Sequence, residues 1–252
     1  MRDDVPQTRP AQTPLCDGTT APDEPLLLAQ LHADALFTYD SQRRIHLQQP
    51  AGRPAPRCFL ARTPQGIVWR HRCDLDEAIV RLVQTAIESE PVGDEQLHSP
   101  HGAQPYEAAL AISGPVTYRR AGPVFAFPRD LPQTGTAVRI TPANADLLHP
   151  HLDDWREDVL GDALLFASVV DGCAVSICMS SRSTQAADEA GVGTATGFRG
   201  RGLARTAVLA WAQAVRDRGR IPLYSTTWDN TASQALARSL GLIRFAADLA
   251  LG

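Results

Sequence analysis

The chain has 252 residues, and its content of 44% hydrophobic and 21% charged residues is typical of a globular protein with one large or two smaller domains. The formal net charge of -4 excludes the basic excess that nucleic-acid-binding proteins carry, so we expect no nucleic-acid partner. No apolar run approaches the roughly 18 residues of a membrane helix. The N-terminus also lacks the basic and apolar segments of a secretory signal, and we expect no membrane partner.

The cysteines form no Cys-x-x-Cys pair, and their odd number is typical of free thiols in a reducing compartment. They are Cys16, Cys58, Cys73, Cys173 and Cys178. We therefore expect a cytoplasmic protein, and we expect no metal site.

The first half of the chain begins with a polar, proline-rich stretch, residues 1–24, whose lack of periodicity predicts a disordered tail. Apolar spacing predicts helices over residues 26–37 and 75–90. Between them, a turn at residues 63–66 joins two short apolar runs and predicts a β-hairpin. Residues 25–134 are thus predicted to form a smaller α+β domain of unknown role, which ends in a linker near Gly135.

The second half, residues 137–252, predicts the element order β-α-β-β-β-α-β-α-β. Its first helix is expected to begin at Thr141-Pro142, and Asp171-Gly172 predicts a hairpin turn. A long helix is predicted from Gly202 to Arg218. Only one strand follows the last helix. A strand from the first half or from a partner chain would complete the sheet; the second alternative corresponds to a homodimer, and the sequence leaves both open.

The stretch Arg199-Gly200-Arg201-Gly202 stands where a predicted strand meets the long helix. A helix N-terminus leaves backbone N–H groups unpaired and carries roughly half a positive charge. Glycines let an anion approach those groups, so the stretch predicts a pyrophosphate-binding turn, with a purely structural turn as the alternative. A P-loop is excluded because no Gly-Lys-Ser/Thr is present. A dinucleotide fold is disfavoured because Arg205 stands where it requires glycine or alanine.

Residues 199–204 match the pattern Arg/Gln-x-x-Gly-x-Gly/Ala and resemble the acetyl-CoA motif of the GCN5-related N-acetyltransferases (GNAT). A later segment, Asn230 to Leu242, resembles the family's Asn-x-x-(Ala/Ser)…Leu-Gly-Phe stretch. The resemblance covers residues 137–252. It implies an α/β (α+β) fold, the GNAT acyl-CoA-binding fold with a mixed, mostly antiparallel sheet, preceded by the smaller N-terminal domain.

The resemblance further implies acetyl-CoA as co-substrate and transfer of its acetyl group to a primary amine, by direct attack on the thioester. The acceptor would be a small molecule or a peptide. Loop backbone would hold the pyrophosphate, the preceding strand would pair with the pantetheine arm, and the start of the last helix would touch that arm. The implied contacts are Thr194, Ala195, Thr196, Arg199, Gly200, Arg201, Gly202, Leu203, Ala204, Asn230 and Ser233.

The same resemblance places the general base at Asp188 or Glu189. Successive strand residues point to opposite faces, so only one can reach the site, and we favour Glu189 for its longer side chain. The alternative is a solvated acidic pair at the start of a strand. The family's tyrosine acid position is Ala237 here, so Tyr224 on the neighbouring strand is the substitute candidate, with ordinary strand packing as its alternative.

Four further features leave alternatives open. Ala237 is compatible with a non-catalytic acyl-CoA-binding regulatory module that has a degenerate site. The acidic segment 149–158 would wall the amine site and attract a cation, or form a solvated helix face. Gly191 and Gly193 predict either close approach of a ligand to the strand or a locally weak strand. The first half of the chain would shape the acceptor site or be a worn copy of the same fold.

Overall fold

A computed structural model describes residues 24–49, 54–91, 93–97, 102–133, 135–160 and 163–252. The predicted tail, residues 1–24, lies outside these ranges except for its last residue. The described chain contains the helices α1 (Pro25–Leu36), α2 (Glu77–Glu88), α3 (Gln104–Ala111), α4 (Leu203–Asp217) and α5 (Thr231–Ser239). Its strands are β1 (Phe37–Tyr39), β2 (Ile45–Gln48), β3 (Cys58–Thr63), β4 (Gly66–His71), β5 (Arg119–Ala126), β6 (Val138–Arg139), β7 (Leu165–Val170), β8 (Cys173–Ser183), β9 (Ala187–Thr194), β10 (Ile221–Ser225) and β11 (Ile243–Leu251).

Nine of these strands form one sheet in the order β4-β3-β11-β5-β10-β9-β8-β7-β6, and β1 pairs separately with β2. The pair β9–β10 is parallel, and the other neighbouring pairs of the nine-stranded sheet are antiparallel. This architecture confirms the predicted mixed, mostly antiparallel sheet. Within the described ranges, no helix is both long enough and apolar enough to cross a membrane.

The first half of the chain completes the sheet. Strand β5 lies between β10 and β11, and β3 pairs with the far side of β11. Of the two alternatives left open by the sequence, the first therefore holds: a strand from the first half of the chain completes the sheet. The sheet runs across the predicted boundary near Gly135, and the division of the chain into two domains stays a prediction.

The two faces of the sheet carry different helices. Phe59 and Ala61 of β3 pack in the same cluster as α1, whereas Cys58 and Leu60 pack with α2 and α3. Because alternate strand residues point to opposite faces, α1 lies on one face and α2 and α3 lie on the other. Residues of β5 alternate in the same way, with Phe125 directed at α4. We call the side of the sheet covered by α1 the α1 face, and the opposite side, covered by α2, α3 and α4, the α4 face.

The predicted helix after Thr141 is wrong in type, because Pro142–Leu148 forms 3-10 turns. The Asn144 side chain accepts a hydrogen bond from the Thr141 N–H (2.7 Å) and donates one to the Arg139 carbonyl (3.0 Å). The backbone at Asn144 is non-helical, with φ of -132°. Asparagine bonding to nearby backbone thus replaces the regular α-helical ladder.

A close backbone crossing ties β5 to the segment that follows β10. The Thr226 N–H donates to the Pro123 carbonyl and the Trp228 N–H donates to the Ala121 carbonyl, each at 3.2 Å. At Gly122, between those two acceptors, an added Cβ would lie 1.7 Å from the Thr226 carbonyl oxygen. Only glycine fits here, because backbone cannot withdraw from the clash as a flexible side chain can.

We expect Gly122→Ala to lower the free energy of unfolding by the upper part of the roughly 1–3 kcal/mol range for overpacking. The measurement is urea denaturation of both proteins. Gly135→Ala is the matched control, because its Cβ would meet nothing closer than 3.9 Å. Equal stability of the two variants would contradict the crossing.

Candidate functional site

The two parallel strands β9 and β10 separate part-way along their length. They pair only where Ile221–Leu223 faces Ala187–Glu189. Beyond that point Tyr224 and Ser225 pair with β5, while β9 continues against β8. A cleft therefore opens between the carboxyl ends of two parallel strands, which is where open α/β sheets commonly bind ligands.

A cavity of about 1010 Å³ occupies this cleft and reaches the N-termini of α4 and α5. Its volume is at the upper end of the roughly 300–1,000 Å³ typical of ligand pockets. The residues of its lining that matter for the proposed site are Arg120, Gly193, Thr194, Arg199, Gly200, Arg201, Gly202, Leu203, Ala204, Tyr224, Ser225, Asn230 and Ser233.

One wall of the cavity is the turn that enters α4. Gly200 and Gly202 have φ of 73° and 75°, and a Cβ at either would meet nothing within 4 Å, so the left-handed backbone alone requires glycine. No side chain caps α4 within the described chain. The N–H groups of Gly202, Leu203 and Ala204 consequently remain available to an anion, whereas the Arg205 N–H donates to the Gly202 carbonyl at 3.1 Å.

Two arginines flank this turn. The Arg199 Nε donates to the Thr194 carbonyl at 3.2 Å and ties the turn to the end of β9. The Arg201 guanidinium stacks on the Phe198 ring, with 5.3 Å to the ring centroid. These cations and the partial positive charge of the helix end give this wall of the cavity a positive potential.

The opposite wall carries a tyrosine and the start of α5. The Asn230 Oδ1 accepts from the Ser233 N–H (3.0 Å) and caps the helix. The Tyr224 hydroxyl shares a hydrogen bond with the Ser233 hydroxyl at 2.7 Å. Burial raises the pKa of Tyr224 to about 12, so its hydroxyl keeps its proton at neutral pH. Ala237 is buried in the same hydrophobic cluster as Tyr224.

The strand glycines of β9 make room for protein side chains. A Cβ at Gly193 would lie 2.7 Å from Cζ2 of Trp155, and a Cβ at Gly191 would lie 2.9 Å from Cβ of Ser181. The described atoms that come closest to these two glycines belong to Trp155 and Ser181, and the approach of a ligand to the strand stays a prediction.

The two predicted base candidates point to opposite faces, as the strand period requires. Asp188 is buried on the α4 face, where it accepts hydrogen bonds from Ser180 (2.7 Å) and from Arg220 (3.1 Å). The same Ser180 hydroxyl accepts from the Trp211 indole N–H at 3.0 Å. Asp188 is thereby bonded into the packing of α4, and it does not line the cavity.

Glu189 is buried on the α1 face and lies in a cluster of four ionisable side chains. His32 of α1 bonds through Nδ1 to Glu189 and through Nε2 to Asp248, the latter at 3.2 Å. The Arg120 Nη1 donates to the same Asp248 oxygen at 2.7 Å. Ser225 donates to the Glu189 Oε2 at 3.4 Å and accepts from the Arg120 Nη2 at 3.4 Å.

The protonation of this cluster follows from its charges. Burial by itself would lower the pKa of His32, but the charges and hydrogen bonds of Glu189 and Asp248 raise it to about 9. Burial would raise the pKa of Asp248, but Arg120 and His32 lower it. At neutral pH His32 is an imidazolium between two carboxylates.

The sequence comparisons bear on the part of the chain that holds the cleft. Residues 152–246 match the model of the family described as GNAT acetyltransferase. The C-terminal part of the chain belongs to the GNAT superfamily. The resemblance carried by the Arg199–Ala204 motif is thereby confirmed. A comparison with curated proteins finds none that matches.

Solved GNAT structures share low identity with the chain. A GNAT-family protein from Novosphingobium aromaticivorans is 18% identical, with a TM-score of 0.46, and the match covers 54% of this chain and 65% of that one. A GCN5-related N-acetyltransferase-like protein from Streptococcus suis is 18% identical, with a TM-score of 0.45 and coverage of 79% and 85%. An aminoglycoside N-acetyltransferase in complex with CoA is 21% identical, with a TM-score of 0.35 and coverage of 42% and 90%.

In the GNAT part, a second cavity of about 590 Å³ adjoins the first across the end of β9. The acidic segment 149–158 contributes His151, Asp154 and Trp155 to its lining. The neighbouring Asp153 is instead engaged by His149 (3.1 Å) and Arg156 (3.1 Å). Ala195 and Thr196, predicted to contact the pantetheine arm, line this second cavity and not the first.

The structure brings together the predicted residues of the turn, of α5 and of β10. His32, Arg120 and Asp248 were not among the residues predicted from the sequence. His32 and Asp248 stand among buried apolar residues of their elements, whereas Arg120 follows Arg119 at the less buried start of β5. An ionisable residue in an apolar stripe is a usable signal, since burial requires a partner. Among the described residues, no group of three or more His, Cys, Asp or Glu side chains is placed to hold a metal ion.

The stability of the protein should depend on the His32 proton. The folded-state pKa of about 9 exceeds the usual 6.5, so the contribution is complete below about pH 6.5 and is lost as pH rises through about 9. We expect the free energy of unfolding of wild type to fall, relative to His32→Gln, across that window. Urea denaturation at a series of pH values measures it.

The control for this pH dependence is His46→Gln, because His46 is exposed on β2. We expect its stability to follow the wild-type pH curve. If the curve of His32→Gln also runs parallel to wild type from about pH 6.5 to 9, His32 is not an imidazolium in the folded protein.

Proposed function

We propose that the chain is an acetyl-CoA-dependent N-acetyltransferase that transfers an acetyl group to a primary amine. The observation that carries this proposal is the cleft between β9 and β10. It has the uncapped N-terminus of α4 on one wall and, across Ser225, the buried Glu189 on the α1 face. The membership of this segment in the GNAT superfamily supports the same reaction.

The turn before α4 binds the pyrophosphate of CoA in this proposal. The N–H groups of the first helical turn, from Gly202 to Ala204, donate to the phosphate oxygens, and the helix dipole favours the negative charge. Arg199 and Arg201 supply charge-assisted contacts at the rim. The pantetheine arm runs along β9 beyond Glu189, where the β10 side of that strand has no described strand partner.

The chemistry needs a proton acceptor for the amine and a donor for the thiolate. The amine nitrogen attacks the thioester carbon, the C–S bond breaks, and the amine proton passes through the Ser225 hydroxyl to Glu189. Tyr224 gives its proton to the departing thiolate, since burial keeps its hydroxyl neutral. We assign Asp188 a packing role, because it is bonded to Ser180 and Arg220 away from the cavity.

The acceptor is a small-molecule or peptide amine. We assign its entry to the second cavity, where the Asp154 carboxylate and the Trp155 ring attract an ammonium group. A non-catalytic acyl-CoA-binding regulatory module is the second candidate function. It is favoured by the buried alanine at position 237 and by the absence of Glu189 from the cavity lining in the described chain.

The first test is thermal and chemical unfolding with acetyl-CoA, CoA, ATP and NAD. At about 100 times the dissociation constant, a ligand bound only by the folded state adds roughly 2.7 kcal/mol. We expect both CoA species to stabilise the protein, and ATP and NAD to leave it unchanged. No stabilisation by either CoA species would end the acyl-CoA proposal.

The same assay tests the turn. We expect the double variant Arg199→Gln/Arg201→Gln to bind CoA about tenfold more weakly or worse, since each charged hydrogen bond contributes roughly 1.5–3 kcal/mol. Arg218→Gln is the matched control, because this exposed arginine caps the other end of α4. Unchanged affinity in the double variant would mean that the turn is structural.

Catalysis separates the two base candidates. We expect Glu189→Gln to lower kcat by about 10²–10⁴ while CoA affinity stays within about twofold, because a general base acts only on the chemical step. We expect Asp188→Asn to leave kcat within a few-fold and to lower stability through loss of the Arg220 pair. Thiol release measures kcat. Full turnover by Glu189→Gln would exclude it as the base, and an inactive wild type that binds CoA would favour the regulatory module.

A further inference from the structure

The first half of the chain places two cations beside Glu189. His32 reaches it from α1, and Arg120 reaches the adjoining Ser225 from β5. Neither residue lies in the segment that matches the GNAT model. Ser225 and Arg120 line the main cavity, whereas Glu189 and His32 do not. The route from the cavity to the proposed base therefore passes through groups that the first half of the chain holds in place.

We propose that His32 is a positioning residue for the acetyl transfer, which holds the Glu189 carboxylate with Oε2 directed at Ser225 and so makes the first half of the chain part of the active site. This inference rests on the proposed function. It assigns His32 no contact with either substrate, because it acts through Glu189.

The geometry fixes the imidazole at both ends. Its Nδ1 donates to Oε1 of Glu189 and its Nε2 donates to Oδ2 of Asp248 at 3.2 Å. The ring cannot turn without losing one of these bonds, so Oε1 is held and Oε2 remains for the Ser225 hydroxyl, at 3.4 Å. Held in this way, the carboxylate needs no reorientation when it accepts a proton, which is what a preorganised site requires.

The cluster holds charges of both signs, and the cation Arg182 of β8 stands opposite Glu189 in the strand register. Glu189 on β9 and Asp248 on β11 are negative, while His32 on α1 and Arg120 on β5 are positive; β3 contributes the uncharged Phe59 ring, 5.9 Å from His32. Loss of the imidazolium charge would remove the cation that bonds both buried carboxylates, which is strongly unfavourable. The cluster therefore couples the orientation of Glu189 to the protonation of His32.

Packing alone does not call for this arrangement. His32 stands between Ala29 and Ala33 on the buried side of α1, where an apolar side chain would fill the space without a need for partners. Four ionisable groups gathered beside a cleft, and bonded to a hydroxyl that lines it, are typical of a functional site. A structural role for the cluster predicts effects on stability only, and the kinetic test below separates the two roles.

The test compares His32→Gln, Glu189→Gln and the double variant in steady-state acetyl transfer to an amine that wild type acetylates. Glutamine keeps one N–H donor and removes the charge. We expect His32→Gln to lower kcat about tenfold to a hundredfold, as displacements of about 1 Å do, with KM and dissociation constant for acetyl-CoA within about twofold. We expect no further loss of kcat when His32→Gln is added to Glu189→Gln, because His32 acts through that residue.

A readout independent of turnover is the NMR titration of ¹⁵N-labelled histidine. We expect the His32 imidazole, identified by the signal that His32→Gln lacks, to remain mostly protonated near pH 8 in wild type and to lose that proton at lower pH in Glu189→Gln. Asp248→Asn, which keeps the shape of its side chain, is the second variant if His32→Gln does not fold, and it should lower kcat in the same direction. His46→Gln should match wild type in kcat and KM, and its spectrum should lack the His46 signal alone.

The outcomes distinguish this inference from the proposed function. A wild type that acetylates amines, with His32→Gln as active as wild type or with losses that add in the double variant, overturns the inference alone. A parallel loss of CoA affinity and kcat in His32→Gln also overturns it, because that result reports general damage. A wild type that binds acetyl-CoA and acetylates no amine overturns the proposed function, and this inference with it.

Discussion

The structure depends on where the pairing of β9 and β10 stops. The two strands run parallel and hydrogen-bond only as far as Glu189 and Leu223. Beyond that point β10 is held by β5, and the chain after it crosses Gly122 with its backbone in contact. From there β10 follows β5 and β9 follows β8, so the two strands diverge. The cavity, the uncapped start of α4 and the capped start of α5 all lie along the opening that results.

The first half of the chain contributes both a strand of the sheet and a helix that covers one of its faces. Its β5 separates β10 from β11, and its α1 covers the face on which Glu189 lies. The His32 imidazolium connects this helix to the sheet, because it bonds both to the Glu189 carboxylate of β9 and to the Asp248 carboxylate of β11. Removing one partner would leave a buried charge uncompensated, so the cluster also fixes where α1 sits on the sheet.

Local patterns in the sequence predicted much of the fold and part of the site. The apolar stripe of α4 and the Asp171-Gly172 turn are local features, and the structure has the helix and the hairpin they predict. The prediction of an α-helix after Thr141 was wrong, because the Asn144 side chain bonds to nearby backbone and replaces the regular α-helical hydrogen bonds. For Asp188 and Glu189, the strand period predicted that their side chains point to opposite faces of the sheet. It could not predict which of the two faces carries the site.

The sequence by itself determined the Gly-Arg-Gly turn, the helix that follows it and the superfamily of the C-terminal part, because each is written in residues close together in the chain. Only the tertiary structure decided which strand completes the sheet and which groups surround Glu189. His32 lies 157 residues from Glu189 and 216 from Asp248. No local propensity links positions so far apart; they meet because burying α1 against the sheet requires its one ionisable side chain in the apolar stripe to find charged partners there.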